Sequence, residues 1–118
     1  AFKPNTDDIR EAPALYIIDE LVKAGASVTA YDPEAMSNVS KLMYGRIELG
    51  IDEYAVLQDA DALVICTEWS LFRTPDLDKI KTLMTNPAIF DGRNLYSLEQ
   101  MKEHGFHYVS IGRPVING

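Results

Sequence analysis

The fold of this chain is decided by a short apolar run, Ala62-Leu63-Val64-Ile65-Cys66, followed directly by Thr67-Glu68-Trp69. The run shows no alternation between apolar and polar residues. This pattern is typical of a central parallel strand that is covered on both faces, whereas a half-exposed strand alternates. The run therefore predicts a parallel sheet, with polar residues beginning where the strand ends.

The clearest helix precedes this run. Its apolar residues recur at helical spacing and form one stripe: Ala14, Ile17, Ile18, Leu21 and Val22. Pro13 suits the first turn of the helix, and Gly25 suits the left-handed position just past its end. Asp8 offers an alternative start, with Glu11 completing a capping box. That register would place Pro13 at the fifth helical position and lose a backbone hydrogen bond, so the later start is favoured.

Strands and helices alternate along the rest of the chain. We predict strands over 27–31, 46–49, 62–66, 88–90 and 106–111, and helices over 34–43, 51–58, 77–84 and 97–104. Ser97 and Gln100 form the capping box of the last helix. The pattern predicts an α/β fold, a three-layer Rossmann-like parallel sheet with helices on both faces. Residues 1–118 are expected to form a single domain, and Ala1-Phe2 the tail of a truncated first strand.

Composition excludes several classes of partner. The 118 residues carry a net charge of -7, and no basic stripe is present to bind nucleic acid. No apolar run approaches the roughly eighteen residues of a membrane-spanning helix, so no membrane partner is expected. The single cysteine, Cys66, excludes an internal disulfide and fits a cytoplasmic location.

Cations at the ends of predicted strands are the candidate binding residues. Ligands of open parallel sheets bind beyond the carboxyl ends of the strands. Lys3, Arg10 and Arg93 lie in such positions in an otherwise acidic chain. Arginine binds phosphate through two parallel hydrogen bonds, so the three cations fit a phosphate-bearing ligand. Structural salt bridges to Asp7, Asp8 and Asp91 are the alternative, and spacing alone leaves both interpretations open.

Other polar residues are better explained by structural roles than by ligand binding. The segment 3–11 contains no glycine, so the glycine-rich turn that binds a dinucleotide is missing. Asp32 is then interpreted as a turn or capping aspartate. Cys66 has no histidine or lysine near it in sequence and is interpreted as a packed thiol. His104 and His107 are interpreted as surface residues, since metal-ligand spacing is absent.

One long segment and four shorter motifs carry a family resemblance. The segment is Phe2-Lys3-Pro4-Asn5-Thr6-Asp7-Asp8-Ile9-Arg10-Glu11-Ala12-Pro13. The motifs are Tyr31-Asp32-Pro33, Ala60-Asp61-Ala62, Thr67-Glu68-Trp69 and Phe90-Asp91-Gly92-Arg93-Asn94. In this order they resemble the C-terminal domain of the UDP-glucose and GDP-mannose dehydrogenases, and the resemblance covers nearly the whole chain.

The resemblance implies a function. Enzymes of this family oxidise the C6 alcohol of a nucleotide sugar to a carboxylate with two NAD molecules in succession. It implies that Phe2 and Lys3 contact the substrate, that Arg93 binds its uridine diphosphate, and that Arg10 lies near the NAD phosphates. The UDP-glucose branch is favoured, and UDP-N-acetylhexosamine or GDP-mannose remain alternative substrates. The full-length protein is expected to be a homodimer.

The family's NAD motif and nucleophilic cysteine are absent from the sequence, and Cys66 does not match that nucleophile. We therefore expect no catalytic residue here and no dehydrogenase activity from this chain alone, with NAD held mainly by an N-terminal domain. A flavodoxin-like receiver domain is a remote alternative. It needs an acceptor aspartate after the third strand, which Cys66-Thr67-Glu68 does not offer, and a lysine where Arg93 stands. A freestanding nucleotide-binding or interaction domain without catalysis is the second alternative.

Overall fold

The computed structural model describes residues 1, 5–6, 13–43 and 47–117. The chain forms two compact units, Ala1–Val56 and Leu57–Gly118. The assignment of residues 1–118 to a single domain stays a prediction. None of the helices in the described ranges is long and apolar enough to cross a membrane.

The first unit contains α1 (Pro13–Lys23), β1 (Thr29–Ala30), α2 (Met36–Met43) and β2 (Glu48–Leu49). The strands β1 and β2 pair in parallel. A small apolar cluster is built on the buried Ala35 and Val39, with Leu15 and Ile18 of α1 packed against it. The apolar stripe predicted on α1 thus contributes to this core, although none of its residues is fully buried.

The end of α1 follows the sequence prediction. Gly25 has a φ of 92°, which is left-handed. Its N–H donates to the Val22 carbonyl, and the Ala26 N–H donates to the Leu21 carbonyl, both at 3.0 Å. These two bonds are the Schellman arrangement that terminates helices at glycine. The helix described begins at Pro13, while the alternative start at Asp8 lies outside the described residues.

Asp32 links β1 to α2 through a hydrogen-bonded turn. Its Oδ1 accepts from the N–H groups of Glu34 and Ala35, both at 2.9 Å, and its Oδ2 accepts from the Ala1 nitrogen at 2.8 Å. Burial would raise the pKa of Asp32, but these hydrogen bonds outweigh it, so the pKa is lowered. The interpretation of Asp32 as a turn aspartate is confirmed.

The second unit contains β3 (Leu63–Ile65), α3 (Leu77–Leu83), β4 (Ala88–Asp91), α4 (Leu98–Glu103) and β5 (His107–Ser110). The strands pair in parallel in the order β3-β4-β5. Asp76 begins α3 by accepting from the Lys79 N–H, and Ser97 begins α4 by accepting from the Gln100 N–H. The predicted cap at Ser97 and the α/β class with parallel strands are confirmed.

The two faces of this second sheet differ in cover. Ile89 and Tyr108 are fully buried side by side on one face. On the other face Val64 and its partner Phe90 are each 40% exposed. Among the described residues, β4 is the middle strand of this sheet and β3 lies at its edge. The 40% exposure of Val64 shows that the expectation of a run 62–66 covered on both faces is wrong. A uniformly apolar run indicates that a strand is hydrophobic, but it does not indicate which face of the sheet is covered by other elements.

The predicted helix over 51–58 is also wrong. Only a single 3₁₀ turn, Ala55–Leu57, forms there. The Oδ1 atom of Asp52 accepts from the N–H groups of Tyr54 and Ala55, at 2.8 and 2.7 Å. Asp59 then adopts a left-handed φ of 59°, which ends any helical path. Side-chain hydrogen bonds of this type compete with a regular helix.

Asp32 and Asp52 provide a matched test of the buried turn. Each accepts the N–H groups two and three residues ahead, but Asp32 is only 9% exposed and Asp52 is exposed. We expect Asp32→Ala to lower the free energy of unfolding by about 2 kcal/mol, and Asp52→Ala by about 0.5 kcal/mol. Urea unfolding followed by far-ultraviolet circular dichroism measures both values.

The pH dependence follows from the lowered pKa of Asp32. Its stabilising contribution is present above the unfolded-state pKa and is lost as the pH falls through the lower folded-state pKa. The difference between wild type and Asp32→Ala should therefore shrink as the pH drops below about 4. Equal costs for the two aspartate variants at pH 7 would contradict a special role for the buried turn.

Candidate nucleotide-binding site

The loop that follows β4 is organised by Asp91, which is 2% exposed. Its Oδ1 accepts from the Arg93 N–H at 2.9 Å, and its Oδ2 accepts from the Leu95 N–H at 2.7 Å. The Tyr108 hydroxyl donates to the same Oδ2 at 2.6 Å. Three donors therefore satisfy a buried carboxylate, which would otherwise be costly to bury.

Arg93 is held against the end of the neighbouring strand. Its Nε donates to the Cys66 carbonyl at 2.8 Å, immediately after β3. The Gly92 N–H donates to the Ile65 carbonyl at 2.9 Å, and a Cβ at Gly92 would stand 3.1 Å from that oxygen. Glycine permits this close approach. The guanidinium is thereby placed at the carboxyl ends of β3 and β4, where parallel sheets bind ligands.

The Cys66 thiol does not have the properties of a nucleophile. Burial raises the pKa of Cys66, and the nearby charge of Arg93 only partly opposes this effect. A raised pKa keeps the sulfur protonated at neutral pH, whereas reactive cysteines have a lowered pKa. The interpretation of Cys66 as a packed thiol is consistent with this environment.

Tyr108 and Arg113 support the site from β5 and the segment after it, and sequence analysis missed both. The Nη2 of Arg113 donates to the Tyr108 hydroxyl at 2.8 Å, and its Nη1 donates to the Tyr96 carbonyl at 2.9 Å. The Nε of Arg113 donates to Ser110 Oγ at 2.9 Å. A signal was available, because Arg113 follows the last strand much as Arg93 follows β4.

A second connection joins the loops after β4 and β5. The Asn94 side chain donates to the Ile111 carbonyl at 3.0 Å and accepts from the Ile111 N–H at 2.8 Å. Asn94 has a left-handed φ of 54°, a conformation that asparagine tolerates better than most residues. The Asn94 side chain therefore connects the two loops through two hydrogen bonds to the Ile111 backbone.

The structure places one of the four predicted site residues. Arg93 lies at the strand ends as predicted. Phe2, Lys3 and Arg10 lie outside the described residues, and their roles stay predictions. Within the described ranges, no cluster of three or more candidate metal ligands occurs. The site defines an α/β domain that presents an oriented arginine at the ligand-binding edge of a parallel sheet.

Comparison with known proteins assigns this domain to a family. The profile of the UDP-glucose/GDP-mannose dehydrogenase family, UDP binding domain, matches residues 1–98. The chain belongs to this family. The resemblance carried by the segment 2–13 and the four motifs is confirmed.

Individual relatives agree with this assignment. The chain is 50% identical over 113 residues to a UDP-glucose 6-dehydrogenase of Rhizobium meliloti (strain 1021), covering 96% of this chain and 26% of the relative. It is 49% identical over 118 residues to the UDP-glucose 6-dehydrogenase TuaD of Bacillus subtilis (strain 168), covering 100% of this chain and 26% of that protein. The chain thus spans about a quarter of the length of the curated relatives it matches.

Two solved structures show the same fold. The NDP-N-acetyl-D-galactosaminuronic acid dehydrogenase of Methanosarcina mazei Go1 superposes with a TM-score of 0.81 at 33% identity, over 96% of this chain and 23% of that one. A UDP-glucose dehydrogenase of Pyrobaculum islandicum superposes with a TM-score of 0.74 at 26% identity, over 95% and 23% of the two chains.

The hydroxyl of Tyr108 should resist ionisation. Burial, together with its hydrogen bond to Asp91 and the negative charge of that residue, raises the pKa of Tyr108 to about 12. Its stabilising hydrogen bond is fully present below pH 10 and is lost as the pH rises through about 12. Absorbance at 295 nm measures tyrosinate, with Tyr108→Phe as the reference and circular dichroism to verify folding at each pH. The tyrosinate absorbance of wild type and Tyr108→Phe should agree up to about pH 11 and differ only near pH 12. A higher tyrosinate absorbance in wild type by about pH 10.5 would contradict the buried hydrogen bond.

Proposed function

We propose that this chain is the nucleotide-sugar-binding domain of an NAD-dependent UDP-glucose 6-dehydrogenase and that Arg93 binds the diphosphate of the substrate. The observation that carries the proposal is the Arg93 guanidinium at the ends of β3 and β4, in a chain whose family is defined as a UDP binding domain. The Rhizobium meliloti and Bacillus subtilis relatives named above are UDP-glucose 6-dehydrogenases, which supports UDP-glucose as the substrate.

Electrostatics gives Arg93 a specific task. The chain carries a net charge of -7, so its average field repels a nucleoside diphosphate. Binding then requires a local cation with a defined orientation. The hydrogen bond from Nε to the Cys66 carbonyl fixes the plane of the guanidinium. A fixed planar fork suits bidentate contact with phosphate oxygens and reduces the entropy lost on binding.

Three further residues complete the proposed ligand contacts. Phe2 and Lys3 are proposed to contact the substrate, and Lys3 would add a second cation. Arg10 is proposed to lie near the NAD phosphates. Their support is the family resemblance of the segment 2–13 together with the family match. The proposed homodimer rests on the same resemblance, and the proposed cytoplasmic location rests on the single cysteine, Cys66.

The proposed reaction converts the C6 alcohol of the sugar to a carboxylate. NAD, held mainly by a part of the enzyme outside this chain, would supply the hydride acceptor for both oxidations, and a water would supply the second carboxylate oxygen. The residues of this chain bind and orient the nucleotide end, remote from C6. Binding energy from such a remote group raises the rate by holding the reacting carbon in place.

A second substrate class has support of its own. The Methanosarcina mazei protein, which superposes on 96% of this chain, is an NDP-N-acetyl-D-galactosaminuronic acid dehydrogenase. The alternative proposal is therefore a UDP-N-acetylhexosamine dehydrogenase. Arg93 would bind the diphosphate in the same way, because the two substrate classes differ in the sugar.

NADH formation by the full-length enzyme distinguishes these substrates. We expect turnover with UDP-glucose and little or none with a UDP-N-acetylhexosamine or with GDP-mannose at equal concentrations. The absorbance of NADH at 340 nm measures the rate with each substrate. Preference for another nucleotide sugar would retain the family assignment and reject UDP-glucose as the substrate.

Substitution of Arg93 tests the diphosphate contact. We expect Arg93→Ala to raise the KM for the nucleotide sugar about 100-fold, because charge-assisted hydrogen bonds to the diphosphate are lost. Arg93→Lys should raise it about tenfold, since lysine keeps the charge and loses the fork. Steady-state kinetics in the full-length enzyme provides both values.

Lys102 is the matched control for this experiment. It is an exposed cation in the last turn of α4, at the amino end of β5 and so away from the strand ends that carry Arg93. Lys102→Ala should leave KM within about twofold of wild type, because exposed charges at a distance are screened by salt. If Arg93→Ala matches this control, the proposed contact is absent.

A further inference from the structure

We infer that Tyr108 and Arg113 are positioning residues for Arg93, acting through the buried carboxylate of Asp91. The inference rests on the proposed function, since it assigns the residues that orient the diphosphate-binding arginine. Neither residue lies within the family match, which ends at residue 98.

A continuous series of hydrogen bonds connects Arg113 to Arg93. The Arg113 Nη2 donates to the Tyr108 hydroxyl at 2.8 Å, and that hydroxyl donates to Asp91 Oδ2 at 2.6 Å. The other carboxylate oxygen, Oδ1, accepts from the Arg93 N–H at 2.9 Å. Each group has the partner that its chemistry requires: a guanidinium donates, a hydroxyl accepts and donates, and a carboxylate accepts.

Burial makes this series rigid. Tyr108 is 0% exposed and Asp91 is 2% exposed, so water has little access to replace either hydrogen bond. The Arg113 guanidinium also lies over the Tyr108 ring, with Cζ 5.5 Å from the ring centroid. Its remaining donors hold the Tyr96 carbonyl and Ser110 Oγ, so the guanidinium is fixed on several sides. A buried hydroxyl and carboxylate whose hydrogen bonds are satisfied in this way hold one geometry.

The consequence for Arg93 is geometric. Asp91 accepts the backbone N–H of Arg93 and of Leu95, and so sets the path of the loop on both sides of Asn94. Without the Tyr108 hydroxyl, Oδ2 keeps only the Leu95 N–H, and the carboxylate gains freedom to rotate. The Arg93 backbone then loses its fixed position relative to the Cys66 carbonyl that orients its Nε. Small displacements of positioning groups of this kind weaken binding.

A double-mutant cycle in the full-length enzyme tests the inference, with UDP as the probe and calorimetry to measure its Kd. We expect Tyr108→Phe to weaken UDP binding about five- to tenfold, and Arg93→Ala about 100-fold. The double variant should bind within about twofold of Arg93→Ala alone, because Tyr108 acts through Arg93 and the two effects are not additive. Arg113→Gln should weaken binding in the same direction as Tyr108→Phe and provides a second route if that variant does not fold.

Tyr96→Phe is the matched control. It also removes a tyrosine hydroxyl from a largely buried side chain, in this case one that donates to the Phe72 carbonyl at 2.6 Å. A loss of stability alone would lower the Tm of both tyrosine variants and leave the Kd for UDP unchanged. We expect Tyr96→Phe to bind UDP within about twofold of wild type, since the variant keeps the Tyr96 carbonyl that Arg113 contacts and removes only a hydroxyl bonded to Phe72.

The outcomes separate the two proposals. If Arg93→Ala weakens UDP binding while Tyr108→Phe behaves as Tyr96→Phe does, the positioning role is rejected and the proposed function stands. If the effects of Tyr108→Phe and Arg93→Ala multiply in the double variant, Tyr108 does not act through Arg93, and the inference is again rejected. If Arg93→Ala binds UDP as wild type does, the proposed diphosphate contact fails and the inference fails with it.

Discussion

The hydrogen bonds to the buried Asp91 carboxylate are the interactions on which the loop after β4 in the second unit depends. The residue ends β4, is 2% exposed and accepts hydrogen bonds from Arg93, Leu95 and Tyr108. A buried carboxylate with fewer donors would cost free energy, because its oxygens would lack hydrogen-bond partners. Because all three donors are present, they restrain the loop after β4. The backbone position from which the Arg93 side chain extends is restrained with it.

The same chemistry recurs in the first unit with a different outcome. Asp32 also ends a strand region, also lies in a buried position and also accepts N–H groups from the residues ahead of it. It joins β1 to α2, and its other carboxylate oxygen accepts from the Ala1 nitrogen. Asp52 makes the equivalent turn while exposed. An aspartate that accepts backbone N–H groups ahead of it therefore occurs three times, at Asp32, Asp52 and Asp91. We expect the free energy of unfolding to depend more on the buried examples than on the exposed one.

The placement of Arg93 reconciles an acidic chain with an anionic ligand. A net charge of -7 disfavours nonspecific attraction of phosphates, so the proposed recognition depends on individual cations at the strand ends. The Cys66 carbonyl and the Asp91 turn hold one such cation by its Nε and by its backbone. This arrangement fits a domain that binds one end of a nucleotide sugar while chemistry takes place elsewhere.

The sequence by itself determined the local features of this protein. Gly25 ends α1, Ser97 begins α4, Asp32 forms a turn, and Arg93 follows a strand, since each depends on hydrogen bonds or periodicity within a few residues. The Asp52 turn is equally local, but its side-chain hydrogen bonds compete with the helix that the sequence pattern predicts. Only the tertiary structure decided the contacts of the site. Arg93 meets Cys66 across 27 residues, and Tyr108 meets Asp91 across 17. Such pairings depend on which strands become neighbours, and neither hydrophobic periodicity nor local propensity carries that information.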